Sequence, residues 1–81
     1  MGTTRDNIRR WIDNADENSS HMIVVCDTFD HEDYPVYVKD TENVQEREEE
    51  YNGKNMQRVM EVYNLSLNIE EQLKAPRSFN Y

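Results

Sequence analysis

The densest set of groups able to do chemistry is the run Cys26-Asp27-Thr28-Phe29-Asp30-His31-Glu32-Asp33-Tyr34. Asp27, Asp30 and Asp33 could offer oxygens to a hard cation. A calcium loop of the EF-hand kind, however, sets its acids at alternate positions around a central glycine, and this run has neither feature. Zinc wants about four nitrogen, sulfur or carboxylate ligands. Cys26, His31 and His21 supply part of such a set, from a strand and a loop that need not converge. The simpler reading is a solvated hairpin loop whose Asp side chains bond their own backbone as Asx-turns. No metal is expected. Cys26 with His31 as its base would make a thiol nucleophile, but acidic neighbours raise a thiol pKa. Strand alternation also puts Cys26 on the face of Met22 and Val24, so it reads as a core cysteine. What stays open is a small-ligand site built between subunits from Asp27, Asp30, His31, Asp33, Tyr34 and Tyr37. No cofactor motif accompanies it, and none is expected.

The other conspicuous chemistry is charge. Among 81 residues, 17 are acidic and 9 are Lys or Arg, for a formal net charge of −8. That balance argues against a nucleic-acid backbone or an anionic membrane as partner, since both are held by clustered Lys and Arg. Paired carboxylates could do acid–base catalysis, yet abundance singles out no pair, and no catalytic residue is assigned. The excess gathers in the Asp27–Asp33 loop and at Glu42, Glu46, Glu48, Glu49 and Glu50, while Arg5, Arg9 and Arg10 form a basic cluster. The glutamates are read as an acidic surface suited to a basic protein. No apolar run approaches the roughly 18 residues of a membrane span. The polar start of the chain lacks a signal-peptide core. The single cysteine suits a reducing compartment, and the expected location is cytoplasmic.

These groups must be positioned by a small set of elements. Ile8, Trp11, Ile12 and Ala15 make a stripe at helical spacing, framing a helix from residue 4 to about 17 with Thr3 and Asp6 as a weak capping box. Met22-Ile23-Val24-Val25-Cys26 is a β-branched run that reads as a strand covered on both faces. A second strand follows at Tyr34–Lys39, with Tyr34, Val36 and Val38 on one face and Pro35, Tyr37 and Lys39 on the other. Pro35 makes it an edge there, or irregular at its start. A hairpin alone is marginal, so a third strand or a partner chain is wanted. Asp40 or Thr41 can cap a second helix through Tyr51, closed by Asn52-Gly53, with an edge strand over 43–51 as the alternative. Met56, Val59, Met60 and Tyr63 predict a third helix over Lys54–Tyr63. Asn68 and Glu71 open a last one over Ile69–Lys74, bounded by Pro76. The aromatic tail of residues 76–81 is expected to dock on its own core or on a neighbour. The result is a single α+β domain over 1–81, in the order α-β-β-α-α, with helices on one face of an antiparallel hairpin.

The strings His21-Met22-Ile23-Val24-Val25-Cys26-Asp27-Thr28-Phe29-Asp30, Asp33-Tyr34-Pro35-Val36-Tyr37-Val38 and Gly53-Lys54-Asn55-Met56-Gln57-Arg58-Val59-Met60-Glu61-Val62-Tyr63 together resemble a group of small uncharacterised proteins of phages and bacterial prophage regions. The group carries no agreed activity, so the resemblance transfers no catalytic residue. It implies a setting, a bacterial cell during infection. There small acidic proteins bind host factors, defence nucleases among them.

The leading expectation is therefore a non-catalytic acidic interaction protein that engages a host protein, itself, or both as a homodimer. A nucleotide or signal-molecule binder is the alternative. It would need Arg5, Arg9, Arg10, Arg58 and Arg77 to converge. A metal-assisted hydrolase using the Asp27–Asp33 loop ranks last.

Overall fold

In the computed structural model, which describes residues 4–30, 32–53, 56–74 and 79–81, the element order is α1 (Arg5–Asp13), β1 (Ser19–Asp27), β2 (Glu32–Lys39), α2 (Val44–Tyr51), β3 (Gln57–Asn64) and α3 (Ile69–Lys74). The three strands form one antiparallel sheet in the order β2-β1-β3. The α+β class holds. The third strand comes from within the chain, which removes the need for a partner to complete the hairpin.

β1 is central because Met22 to Val25 are apolar without interruption, and all four are buried. Alternation splits them between two cores. Ile23 and Val25 join Val36, Val38, Val59 and Val62 on one face, closed by Val44 and Tyr51 of α2 and by Tyr34. Met22 and Val24 join Ile8, Tyr63 and Leu73 on the other, closed by α1 and α3. The helices thus lie on both faces of the sheet, not on one as expected. A sheet whose central strand is apolar on both sides needs two covers.

The segment expected as a third helix is β3; Lys54 and Asn55, where that helix was to begin, lie outside the described residues. A bulge explains the misreading. Val25 pairs with Val59 and Val24 with Glu61, so Met60 is an extra residue in β3. Val59 and Val62 then face α2, while Met60, Glu61 and Tyr63 face α1. The inserted residue stretches a period of two into a spacing of three, which imitates a helical stripe.

α1 begins one residue later than its expected box. Thr4, not Thr3, is the N-cap, accepting from the Asn7 N–H at 3.2 Å, and Thr3 lies outside the described residues. The helix stops at Asp13, short of residue 17. α2 is a helix and not an edge strand. Its cap is Asn43 and not Asp40 or Thr41: Asn43 Oδ1 accepts from the N–H groups of Gln45 and Glu46 at 2.9 and 3.1 Å. Gly53 follows with φ +76°, the left-handed conformation that glycine enters without strain. α3 spans its expected residues, and Asn68 Oδ1 accepts from the Glu71 N–H at 3.2 Å. Pro76 lies outside the described residues. Buried Gln72 ties α3 to the sheet, accepting from the Asn64 N–H at 2.8 Å and donating to the Asn64 carbonyl at 2.9 Å.

β2 is an edge strand, as Pro35 requires, and at its far end the Lys39 N–H donates to Glu42 Oε1 at 3.0 Å. The outer edge of β3 receives the end of the chain. Phe79 forms a parallel bridge with Val62, and the Asn80 N–H donates to the Val62 carbonyl at 2.9 Å. Residues 79–81 therefore dock on their own sheet, while 76–78 lie outside the described residues.

Candidate functional site

Within one copy of the chain, Tyr34 and Tyr37 of the small-ligand set lie on opposite faces of the sheet. Asp27 spends its Oδ1 on the N–H groups of Phe29 and Asp30, at 2.9 and 3.3 Å, which is the Asx-turn reading of this loop. Tyr34 lies on the α2 face and accepts from Gln57 Nε2. Tyr37 lies on the opposite face, where its hydroxyl donates to the Trp11 carbonyl at 2.7 Å. Burial pushes both phenols upward, reinforced for Tyr37 by Asp16, so both stay neutral hydrogen-bonding groups at ordinary pH. Asp30 is exposed and Asp33 half-buried opposite Cys26, while His31 lies outside the described residues. Among the described residues no three His, Cys, Asp or Glu side chains come together to hold a metal ion.

Cys26 is half-buried and free, at the end of β1, rather than fully in the core as the alternation implies. Burial raises its thiol pKa, and Asp33 beside it raises it further. Such a thiol is a poor nucleophile.

The basic cluster is also not what the bare sequence suggests. Arg5 Nη1 donates to Glu61 Oε1 and to the Tyr63 hydroxyl, both at 3.0 Å. Arg9 grips Glu70 with both terminal nitrogens, one of them 2.7 Å from Oε2. These guanidiniums fasten α1 to β3 and α3. Arg77 lies outside the described residues.

The acidic segment has a different character. Arg47 bonds Glu50 at 2.9 Å, lies 3.7 Å from Glu42 and sits over the Tyr51 ring at 5.7 Å. Among the described residues, Arg47 pairs with two of the five glutamates of this segment. Glu42, Glu46, Glu49 and Glu50 are exposed and Glu48 is half-buried. The Tyr81 hydroxyl donates to Glu48, and burial together with that carboxylate holds the phenol up at about 12. The bond brings the tail alongside α2 while leaving Phe79 43% and Tyr81 48% exposed. An acidic ridge with the partly open Tyr81 ring bonded to it results, and Phe79 lies two residues away on the edge of β3. Sequence showed the glutamates and the surplus rings separately. Their meeting depends on the tail bridging β3, for which no local signal exists.

Comparison of the chain with protein-family models, with curated proteins and with solved structures finds no match. Among the described residues no helix is long and apolar enough to cross a membrane.

Proposed function

We propose that the chain is a non-catalytic binding protein whose acidic ridge on α2, with Tyr81 bonded to it and Phe79 two residues away, engages a basic protein. The observation that carries this reading is the Tyr81–Glu48 hydrogen bond, which joins open aromatic surface to a segment carrying five glutamates and one arginine. Aromatic contact supplies affinity where it is desolvated. The carboxylates supply steering and partner choice. The pairing of Arg5 with Glu61 and of Arg9 with Glu70 adds support, since it leaves less cationic surface to offset the ridge. Like charge disfavours a second copy on this ridge, so the partner is taken to be a different protein. With the resemblance to phage and prophage proteins, the setting that fits is the cytoplasm of an infected bacterium. The partner class is a basic host factor, and counter-defence is the corresponding role.

The test compares the wild-type chain with a variant carrying Glu46→Lys, Glu49→Lys and Glu50→Lys, all at exposed positions, as baits in bacterial lysate. Capture of a basic protein at low ionic strength, released by salt and lost in the variant, is expected. Exposed charges are screened beyond about 10 Å at 0.1 M salt. Equal capture by both baits, or capture indifferent to salt, would overturn the reading.

A further inference from the structure

The two most exposed large apolar side chains are Phe29, at 70%, and Met56, at 62%. They project from one end of the sheet, and Thr28 joins their backbones. Its N–H donates to the Met56 carbonyl at 2.7 Å, and its hydroxyl donates to the same oxygen at 2.5 Å. The Asx-turn of Asp27 fixes the other side of Phe29. Met56 adopts φ +61°, a left-handed conformation that costs a non-glycine residue energy. The end of the sheet therefore holds two apolar groups outward on hydrogen-bonded backbone, outside both cores.

Carboxylates collar this pair. Asp30 and Glu32 are exposed, and Asp27 and Asp33 are half-buried. Among the described residues the collar keeps an acidic excess even with Arg58 opposite Cys26 as a counter-charge. Electrostatics limits what can cover such a surface. A second copy would set the same acids against these, and an anionic lipid surface or nucleic-acid backbone would be repelled. A cationic protein segment satisfies both features, with Lys or Arg against the collar and an apolar side chain against Phe29 and Met56.

We propose that Phe29 and Met56 form an apolar docking knuckle for a Lys- or Arg-rich protein segment that carries a large apolar side chain. The charge argument rests on the same basic partner as the ridge, whereas the apolar contact stands apart from it. The knuckle and the ridge are different surfaces and can be tested separately.

The probe is a short peptide of lysines with one central tryptophan, titrated into the full isotope-labelled chain and followed by amide chemical shifts. A peptide of equal charge with alanine at its centre is the control. The tryptophan peptide is expected to move the amides of Phe29, Asp30 and Met56. Phe29→Ser should weaken it about tenfold, the scale of losing one apolar anchor. Met56→Gly should also weaken it without loss of folding, because glycine accepts the left-handed φ. The alanine peptide should bind more weakly and ignore both substitutions. Absence of binding, or unchanged binding by Phe29→Ser and Met56→Gly, overturns the knuckle. Shifts confined to residues 46–50 overturn it too, while leaving the ridge standing. Binding lost in Phe29→Ser but intact in Glu46→Lys/Glu49→Lys supports the knuckle and counts against the ridge.

Discussion

On the α1 and α3 side of the sheet, polar groups reach into the packing. Tyr63 is fully buried, Glu61 nearly so, and Arg5 bridges them across the helix–sheet boundary. On the α2 side, the strands contribute Ile23, Val25, Val36, Val38, Val59 and Val62, and the helix adds Val44 and Tyr51. The first cover is held by directional bonds as well as by area. The second packs by apolar contact, with directional bonds at the rim, from the Gly53 N–H to the Gln57 carbonyl and from Tyr81 to Glu48, and the outer face of α2 carries charge. The proposed partner binding would ask little of the α2 core, because Glu42, Glu46, Glu49 and Glu50 are exposed. The contrast teaches where substitutions can be made freely and where they cannot.

The largest expected effect sharpens this contrast. Tyr63→Ala removes a buried aromatic ring together with the partner of Arg5, and should cost about 3–5 kcal/mol, as aromatic-to-Ala changes in cores do. Val62→Ala, its neighbour on the other face, should cost about 2 kcal/mol from lost burial and a small cavity. Urea midpoints of the two variants measure the difference, and equal costs would erase the distinction between the faces.

Alkaline titration probes the same side. Burial, assisted by Glu61, raises the Tyr63 phenol above its ordinary value of 10.0. A phenol whose folded pKa exceeds its unfolded one contributes stability that is fully present below pH 10 and lost as pH rises through the folded value. Tyr34, Tyr37 and Tyr81 are shifted in the same direction. Melting temperature should therefore fall above pH 10, and Tyr63→Phe should make the fall shallower.

Arg5→Ala comes next. It leaves buried Glu61 without the cation bonded to it and should cost about 1–3 kcal/mol, the penalty of an unsatisfied buried polar group. Arg5→Ala/Glu61→Leu should recover part of that loss. Failure to recover would mean that the bridge acts through something other than its charge.

The smallest effect belongs to α2. Asn43→Ala removes a side chain that accepts two backbone N–H groups, and should cost about 1 kcal/mol. Hydrogen exchange should show the loss in the first turn of α2, with α1 and α3 protected as before.

Sequence disclosed the parts of this fold whose signals are local. The β-branched run Met22–Cys26 pointed to a covered strand, Pro35 to an edge or an irregular strand start, and Asn68 with Glu71 to the last helix. It misplaced β3 because the bulge at Met60 depends on pairing with β1, which no window of neighbours reveals. It gave the glutamates of the ridge but not the ring beside them, since Tyr81 reaches Glu48 across 33 positions. Phe29 stood out as an apolar residue in an acidic loop. Met56, assigned to a helical stripe, did not.

The borders of the sheet set a limit on growth. An unpaired strand edge is a template on which further chains can stack. In β2, Pro35 lacks the N–H such stacking needs and the Lys39 N–H is spent on Glu42. In β3, the Val62 carbonyl is taken by Asn80. Such borders leave fewer backbone groups on which a second copy could pair its own strand. Trimming the last three residues would take that protection from β3 while leaving every core residue in place.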